Sequence, residues 1–114
     1  MKADYFPDGW VVLKINAPTE TLYKVFASWG GGYVCSEHWK MNSGITKCTF
    51  EDNCYFFEGY SGSVYSCARD TYNRLNAYNY GILQGLIKDA KEKMNMEVFV
   101  MPRYTDWVKM DYTV

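Results

Sequence analysis

The stretch that decides the fold class is ITKCTFEDNCYFFE, residues 45–58. Alternate positions divide its first half into the two faces of a strand, Thr46, Cys48 and Phe50 against Ile45, Lys47 and Thr49. The next three residues, Glu-Asp-Asn at 51–53, have the composition of a hairpin turn, and residues 54–58 return beside the first strand. The stretch therefore predicts two consecutive antiparallel strands.

Segments of the same character fill most of the first two-thirds of the chain. Short apolar or β-branched runs separated by turn-forming residues predict further strands at residues 10–15, 22–29, 38–41 and 63–67. Three glycines, Gly30 to Gly32, end the second of these, because glycine loses the most backbone entropy in a ladder. Consecutive short strands joined by tight turns indicate an antiparallel meander.

The apolar period then changes from that of a strand to that of a helix. Apolar residues at spacings of three and four predict a helix over residues 76–95, with the stripe Ile82, Leu83, Leu86, Ile87, Ala90 and Met94. Gly81 and Gly85 share a face, on which we expect the helix to approach the sheet closely. Two more strands are predicted at 97–101 and 106–112.

Together these elements predict one α+β domain over residues 1–114. An antiparallel meander sheet of about five to seven short strands packs against one helix in the C-terminal half. The length of 114 residues suits a single domain that buries its own core.

The charge balance limits the classes of partner. Twelve Lys and Arg against 13 Asp and Glu give a formal net charge of -1. A duplex-coating protein needs a basic face to neutralise phosphates, so a nucleic-acid partner is not expected.

The N-terminal residues and the hydropathy pattern predict the compartment. Met1 and Lys2 lead into a polar stretch, and no run of about 18 apolar residues could cross a bilayer. We expect a cytoplasmic protein without membrane association. The four cysteines would then be mostly reduced thiols.

A metal site is one hypothesis that the cysteines raise. Cys35 and His38 have a Cys-x-x-His spacing, and Cys48 and Cys54 could add two more ligands. The five residues between Cys48 and Cys54 depart from the usual zinc knuckle, and reduced core thiols are the preferred interpretation. A Cys48–Cys54 disulfide is an alternative that the expected compartment disfavours. We therefore predict no metal and no cofactor.

The sequence contains no complete set of catalytic groups. Residues 59–63, GYSGS, resemble a nucleophile elbow, but the last position is Ser and a strand is predicted to follow. A Ser–His pair would have to use His38, for which no orienting carboxylate is evident. The triple glycine lacks the Lys-Ser/Thr pair and the helix of a phosphate-binding loop. We therefore predict a protein that is not an enzyme.

Aromatic residues near glycine-bearing turns suggest recognition instead. They make up 18% of the chain, and Tyr and Trp offer wide apolar faces with a polar tip. The predicted contact surface consists of Trp29, Tyr33, His38, Trp39, Tyr60 and Tyr65. The competing interpretation places the tryptophans in the core and the tyrosines on an ordinary rim.

Five segments resemble small accessory proteins of tailed bacteriophages, across roughly residues 8–87. They are DGWVVLKI (8–15), YKVFASW (23–29), GGY (31–33), WKMNSGI (39–45) and GYSGSVY (59–65). Cys35, Glu37 and His38 depart from the small and acidic residues expected there. The resemblance implies a setting, the cytoplasm of an infected bacterium, and carries no activity or site residues with it.

Two functions follow as hypotheses. The leading one is a phage-encoded, non-enzymatic binding protein that blocks a host bacterial protein, for example a defence component, through the aromatic and glycine-rich surface. The alternative is a binder that sequesters a small ligand or nucleotide, with aromatic walls that stack on a base. A minor virion component is a third setting that the residues leave open.

Overall fold

Seven β-strands and one α-helix form the part of the chain that the computed structural model describes, residues 2–30 and 38–112. The strands are β1 (Gly9–Asn16), β2 (Thr21–Trp29), β3 (His38–Met41), β4 (Ile45–Glu51), β5 (Cys54–Gly59), β6 (Val64–Ala68) and β7 (Glu97–Val100). Helix α1 (Ala77–Met94) lies between β6 and β7, and a 3₁₀ turn, Arg69–Thr71, follows β6. The α+β class predicted from the sequence is confirmed.

The strands divide between two antiparallel sheets. One sheet has the order β3-β2-β1-β7, and the other has the order β4-β5-β6. Within each sheet, strands that follow one another along the chain are neighbours, as in a meander. Strand β7 is the exception, because it returns after α1 to pair with β1.

Aromatic rings fill the space where the two sheets meet. The fully buried Trp10 of β1 lies 5.4 Å from the ring of Phe57 on β5, 4.7 Å from Tyr72 and 6.1 Å from Trp107 (ring centroids). The cluster joins β1 of one sheet to β5 of the other, and each large ring removed from water contributes roughly 1.5–3 kcal/mol.

Asparagines cap both ends of α1, and the predicted extent of residues 76–95 is confirmed. The Asn76 side chain accepts a hydrogen bond from the backbone N–H of Asn79, at 2.7 Å. Asn95 takes the left-handed conformation (φ 53°, ψ 40°) that ends many helices. The helix thus stops where its orphan backbone groups find partners.

The prediction that Gly81 and Gly85 face the sheet is wrong. Both glycines are exposed, and a Cβ at either position would meet no atom within 4 Å. The inward face carries Asn79, Leu83 and Ala90 instead. The predicted apolar stripe is confirmed from Ile82 to Ala90, whereas Met94 at its end is exposed. Gly81 and Gly85 lie outside the stripe.

The prediction of a strand at 106–112 is also wrong. This segment forms turns, one of them fixed by the Asp106 Oδ1 atom, which accepts from the Lys109 N–H at 3.2 Å. Trp107 and Tyr112 are both buried, and the Tyr112 hydroxyl donates to the Trp107 carbonyl. An extended edge strand would place residues of odd and even number on opposite faces, whereas here both rings enter the core.

Within residues 2–30 and 38–112, no helix combines the length and apolar character needed to cross a bilayer.

Candidate binding groove

An aromatic groove lies where the N-terminal segment passes the end of the β2–β3 pair. Its volume is about 520 Å³. We call it the aromatic groove, and its lining residues are Asp4, Tyr5, Phe6, Trp29, His38, Trp39 and Lys40.

One wall is the N-terminal segment, which backbone hydrogen bonds hold against β6. The Asp4 N–H donates to the Val64 carbonyl at 2.9 Å, and the Ser66 N–H donates to the Tyr5 carbonyl at 2.9 Å. The Asp4 carboxylate in turn accepts from the Val64 N–H at 2.8 Å. These bonds fix a short parallel bridge between Tyr5 and Tyr65, so the N-terminal wall of the groove is attached to the second sheet.

The opposite wall is the end of the β2–β3 pair, whose two faces carry different ring stacks. Trp29 and His38 stack on one face, and Trp39, the next residue along β3, projects from the other. Trp29 and His38 are cross-strand partners whose rings stack 4.7 Å apart at an angle of 8°. The Trp39 ring stacks on the buried Phe26, 5.4 Å away at 10°. The Trp29 indole N–H donates to the Phe6 carbonyl at 3.0 Å, which joins the two walls. The rings are therefore held in place before any partner arrives.

The surface of the groove is apolar with one charge of each sign. Phe6 is 64% exposed and Trp39 is 37% exposed, although each is a large apolar side chain. The Lys40 Nζ atom lies 5.1 Å from the centre of the Tyr5 ring, within the range of a cation–π contact. Asp4 and Lys40 are both exposed, and the Asp4 carboxylate accepts from the Val64 N–H.

Asn79 on α1 holds the base of the groove. Its side-chain Nδ2 lies 2.8 Å from Ser28 Oγ, 3.2 Å from the Trp29 carbonyl and 2.8 Å from the His38 carbonyl. The side chain is fully buried. It therefore ties the first turn of α1 to both strands that carry the stacked rings.

The structure brings three of the six residues predicted for the contact surface together. Trp29, His38 and Trp39 all line the aromatic groove. Tyr60 is 61% exposed on the β5–β6 turn, beside Gly44, and does not line the groove. Tyr33 lies outside the described residues.

Tyr65 does not belong to an accessible contact surface. Its ring is 1% exposed and packs against Tyr5 with centroids 4.8 Å apart. Burial raises the pKa of Tyr65 to about 12, with smaller contributions from Tyr5 and Cys67. The Tyr65 ring packs beneath Tyr5 of the N-terminal wall. The prediction that Tyr65 belongs to the contact surface is therefore wrong.

Sequence reasoning missed the N-terminal wall and Asn79. Asp4 and Tyr5 pair with a strand about 60 residues away, and the Asn79 amide binds carbonyls 41 and 50 residues away. No local sequence pattern predicts contacts between residues so far apart along the chain. The polar Asn79 within an apolar helical stripe was the one available signal.

The cysteines do not form the site that their spacing suggested. Cys48 pairs with Phe57 and Cys54 pairs with Glu51, so the two thiols do not face each other, and both are free. Burial, with a smaller effect of Asp106, raises the pKa of Cys48 to about 12. Burial also raises the pKa of Cys67, which keeps both buried sulfurs as weakly nucleophilic thiols.

Among the described residues, no three His, Cys, Asp or Glu side chains could hold a metal ion together. Cys35, the first ligand of the hypothetical set, lies outside those residues.

The GYSGS motif forms the turn between β5 and β6. Gly62 has a φ of 91°, a conformation that favours glycine, and a strand follows it. The backbone N–H of Ser61 donates to the Ser43 hydroxyl at 2.9 Å. The motif therefore has the strand–turn–strand setting of a hairpin, where a nucleophile elbow needs a helix after the turn.

Comparison with known proteins adds no functional assignment to this geometry. No protein-family model, curated protein or solved structure matches the chain significantly.

Proposed function

We propose that this chain is a phage-encoded, non-enzymatic binding protein that blocks a host bacterial protein. In this proposal the aromatic groove receives an apolar anchor side chain of that partner. The observation that supports it most is the exposure of two large rings at this site, Phe6 on the N-terminal wall and Trp39 on the adjoining strand β3. The Trp29 indole fixes the Phe6 backbone, and stacking on Phe26 fixes the Trp39 ring. The host setting rests on the resemblance of residues 8–87 to accessory proteins of tailed phages.

The exposed ring surface is large enough to support a binding hot spot. Phe6 and Trp39 together expose on the order of 200 Å², since a large aromatic side chain presents roughly 150–250 Å² in total. At about 25 cal/mol per Å², full burial would contribute ~5 kcal/mol before the costs of association. Aromatic anchors of this kind dominate many protein interfaces.

Preorganisation favours protein binding further. The Trp39 ring is stacked on Phe26, and the Trp29 ring is fixed by its stack on His38 and its bond to Phe6. Little rotamer entropy remains to be lost when a partner contacts these rings. Lys40 at the margin favours a partner with an acidic residue beside its apolar anchor.

Site-specific photo-crosslinking tests the proposal. The photoreactive amino acid p-benzoylphenylalanine replaces Phe6, Trp39 or, as a control, Tyr78 on the exposed side of α1. We expect positions 6 and 39 to crosslink to the same bacterial protein in cells, and position 78 to give no such product. Crosslinking from all three positions with equal yield, or from none, would contradict the groove as the contact surface.

Purified components then test blocking. The captured protein is assayed with the wild-type chain, with Phe6→Ala and Trp39→Ala, and with the control Tyr78→Ala. We expect the two groove variants to weaken inhibition by at least tenfold, because each removes an anchor ring. Equal inhibition by all four chains would show that the interface lies elsewhere.

A further inference from the structure

A second cleft lies on a different part of the molecule and shares no lining residue with the aromatic groove. It has a volume of about 520 Å³ and forms between the 3₁₀ turn after β6 and the segment that follows β7. The first segment contributes Arg69 and Asp70, and the second contributes Arg103, Tyr104 and Thr105. We call it the arginine cleft.

Aromatic rings make the floor and one wall of the arginine cleft. Tyr72 and Trp107 are buried beneath it with ring centroids 5.7 Å apart, and Trp10 contacts both. The Tyr55 ring, 6.0 Å from Trp10, forms the wall. Tyr104 stands at the rim and is 88% exposed, so its ring is open to stacking.

The rim carries two guanidinium groups and one carboxylate. Neither Arg69 nor Arg103 forms an ion pair with a carboxylate in the described parts of the chain. The Arg69 Cζ atom lies 5.8 Å from the centre of the Phe50 ring, within the range of a cation–π contact. The Asp70 carboxylate accepts from the Asn53 amide at 3.0 Å. The cleft therefore has a net charge of +1.

Hydrogen bonds hold both segments in position. The backbone N–H of Arg69 donates to the Asn53 carbonyl at 3.0 Å, and the Thr105 hydroxyl donates to the Pro102 carbonyl at 2.7 Å. The Tyr72 hydroxyl donates to the Met101 carbonyl at 2.5 Å, which ties the floor to the segment that carries Arg103. The charged rim is thus attached to a rigid aromatic base.

We propose that the arginine cleft binds a nucleoside monophosphate unit. The base stacks on an aromatic ring, as bases do on Tyr side chains in nucleic-acid-binding proteins. The phosphate lies against Arg69 and Arg103, because guanidinium groups match phosphate oxygens in charge and geometry. Asp70 accepts from a sugar hydroxyl or base amino group, and its charge disfavours a chain of several phosphates.

The cleft volume fits this class of ligand, since pockets for small molecules are typically about 300–1,000 Å³. The nucleotide unit has two chemical sources, a free mononucleotide and a single-stranded nucleic acid. The net charge of -1 for the whole chain favours the free mononucleotide.

Isothermal titration calorimetry at low salt tests the proposal with AMP, GMP, CMP and UMP. We expect at least one of them to bind saturably, and at least tenfold more tightly than its nucleoside or inorganic phosphate alone. Arg103→Ala and Tyr104→Ala should each weaken that binding by about tenfold, because each removes one of the two recognition elements. Arg103→Lys should recover part of the loss, since it keeps the charge without the fork of donors.

Two controls keep the outcomes distinct. Tyr78→Ala and Trp39→Ala should bind the nucleotide as the wild type does, so a failure of the aromatic groove leaves this result untouched. Circular dichroism of each variant confirms that it folds, and Tyr104 is exposed enough for Tyr104→Ala to retain the fold.

A single-stranded decamer, dA10, separates the two sources. Tighter binding of dA10 than of AMP, with the same dependence on Arg103, would support the site and assign the nucleotide unit to a strand. The proposal is overturned if neither the four monophosphates nor dA10 saturates the protein at millimolar concentration. It is also overturned if Arg103→Ala and Tyr104→Ala bind as tightly as the wild type.

Discussion

Replacing Asn79 by alanine tests how the helix holds the aromatic groove. The Asn79 amide approaches three acceptors, Ser28 Oγ and the carbonyls of Trp29 and His38, at 2.8–3.2 Å. Its own Oδ1 atom is buried without a hydrogen-bond partner among the described residues. Asn79→Ala removes the donor and the unpaired oxygen together, while the cap from Asn76 to the backbone N–H at 79 remains.

The expected loss of stability follows from these contacts. The amide NH₂ has two hydrogens, which the three acceptors share, so it makes about two net hydrogen bonds worth roughly 1 kcal/mol each. Leaving buried acceptors unpaired adds about 1 kcal/mol, so loss of the donor costs about 3 kcal/mol. Removing the unpaired Oδ1 atom returns about 1 kcal/mol of desolvation penalty. The net loss in the free energy of unfolding is therefore ~2 kcal/mol, which for a domain of this size lowers Tm by about 8 °C.

Thermal unfolding followed by circular dichroism measures the loss, with Gln84→Ala on the exposed side of α1 as the matched control. We expect the control to change Tm by less than about 2 °C. Hydrogen exchange adds a local test, since the amides at the ends of β2 and β3 should lose protection. An Asn79→Ala protein that melts within 2 °C of the wild type, with unchanged exchange there, would refute the reasoning.

Three further predictions concern the core, the helix and the thiols. Trp107→Ala should lower the free energy of unfolding, measured in a denaturant titration, by about 3–5 kcal/mol. The reason is that Trp107 is 1% exposed and contacts three other buried rings. A smaller loss would mean that the sheets pack without this ring. The double variant Gly81→Ala, Gly85→Ala should raise the free energy of unfolding by roughly 1 kcal/mol per site, because alanine has the higher helix propensity. Neither new Cβ meets an atom within 4 Å. An unchanged or lower Tm would contradict the exposed placement of both glycines. The pKa of Cys48 rises from 9.0 in the unfolded chain to about 12 in the fold, mainly through burial and secondarily through Asp106. The unfolded chain therefore loses this proton first as pH rises, so the contribution of Cys48 is fully present below pH 9 and is lost between pH 9 and about 12. Tm measured from pH 7 upward should begin to fall near pH 9, and Cys48→Val should reduce the slope; identical slopes for both proteins would rule out the thiol as a source.

Local patterns predicted most of the elements because their signals lie within a few residues. The 45–58 hairpin formed with its turn at the expected place, and both ends of α1 lie at asparagines that cap it. The strand prediction at 106–112 was wrong for the opposite reason, since the Trp107 and Tyr112 rings enter a core assembled from distant strands.

The candidate site was predictable only in part. The sequence identified three groove residues, Trp29, His38 and Trp39. Two of them are large rings close to the run of glycines in the sequence, and the pairing of β2 with β3 brings all three together. Tyr65 carries the same signal but is buried, because composition does not distinguish a ring that faces solvent from one that faces a second sheet. Tyr5 and Phe6 were not predicted, since Tyr5 is placed by its bridge to β6 and Phe6 by the bond from Trp29 to its carbonyl.

The contact between the N-terminal segment and β6 has a consequence for how the groove is assembled during synthesis. Asp4 and Val64, which hydrogen-bond each other, are 60 positions apart along the chain. Asp4 and Tyr5 are therefore synthesised well before their partners in β6, and they stay unpaired until that strand has emerged from the ribosome. A nascent chain halted before that point would carry the rings of β2 and β3 without the opposite wall, so the groove is complete only once β6 is available.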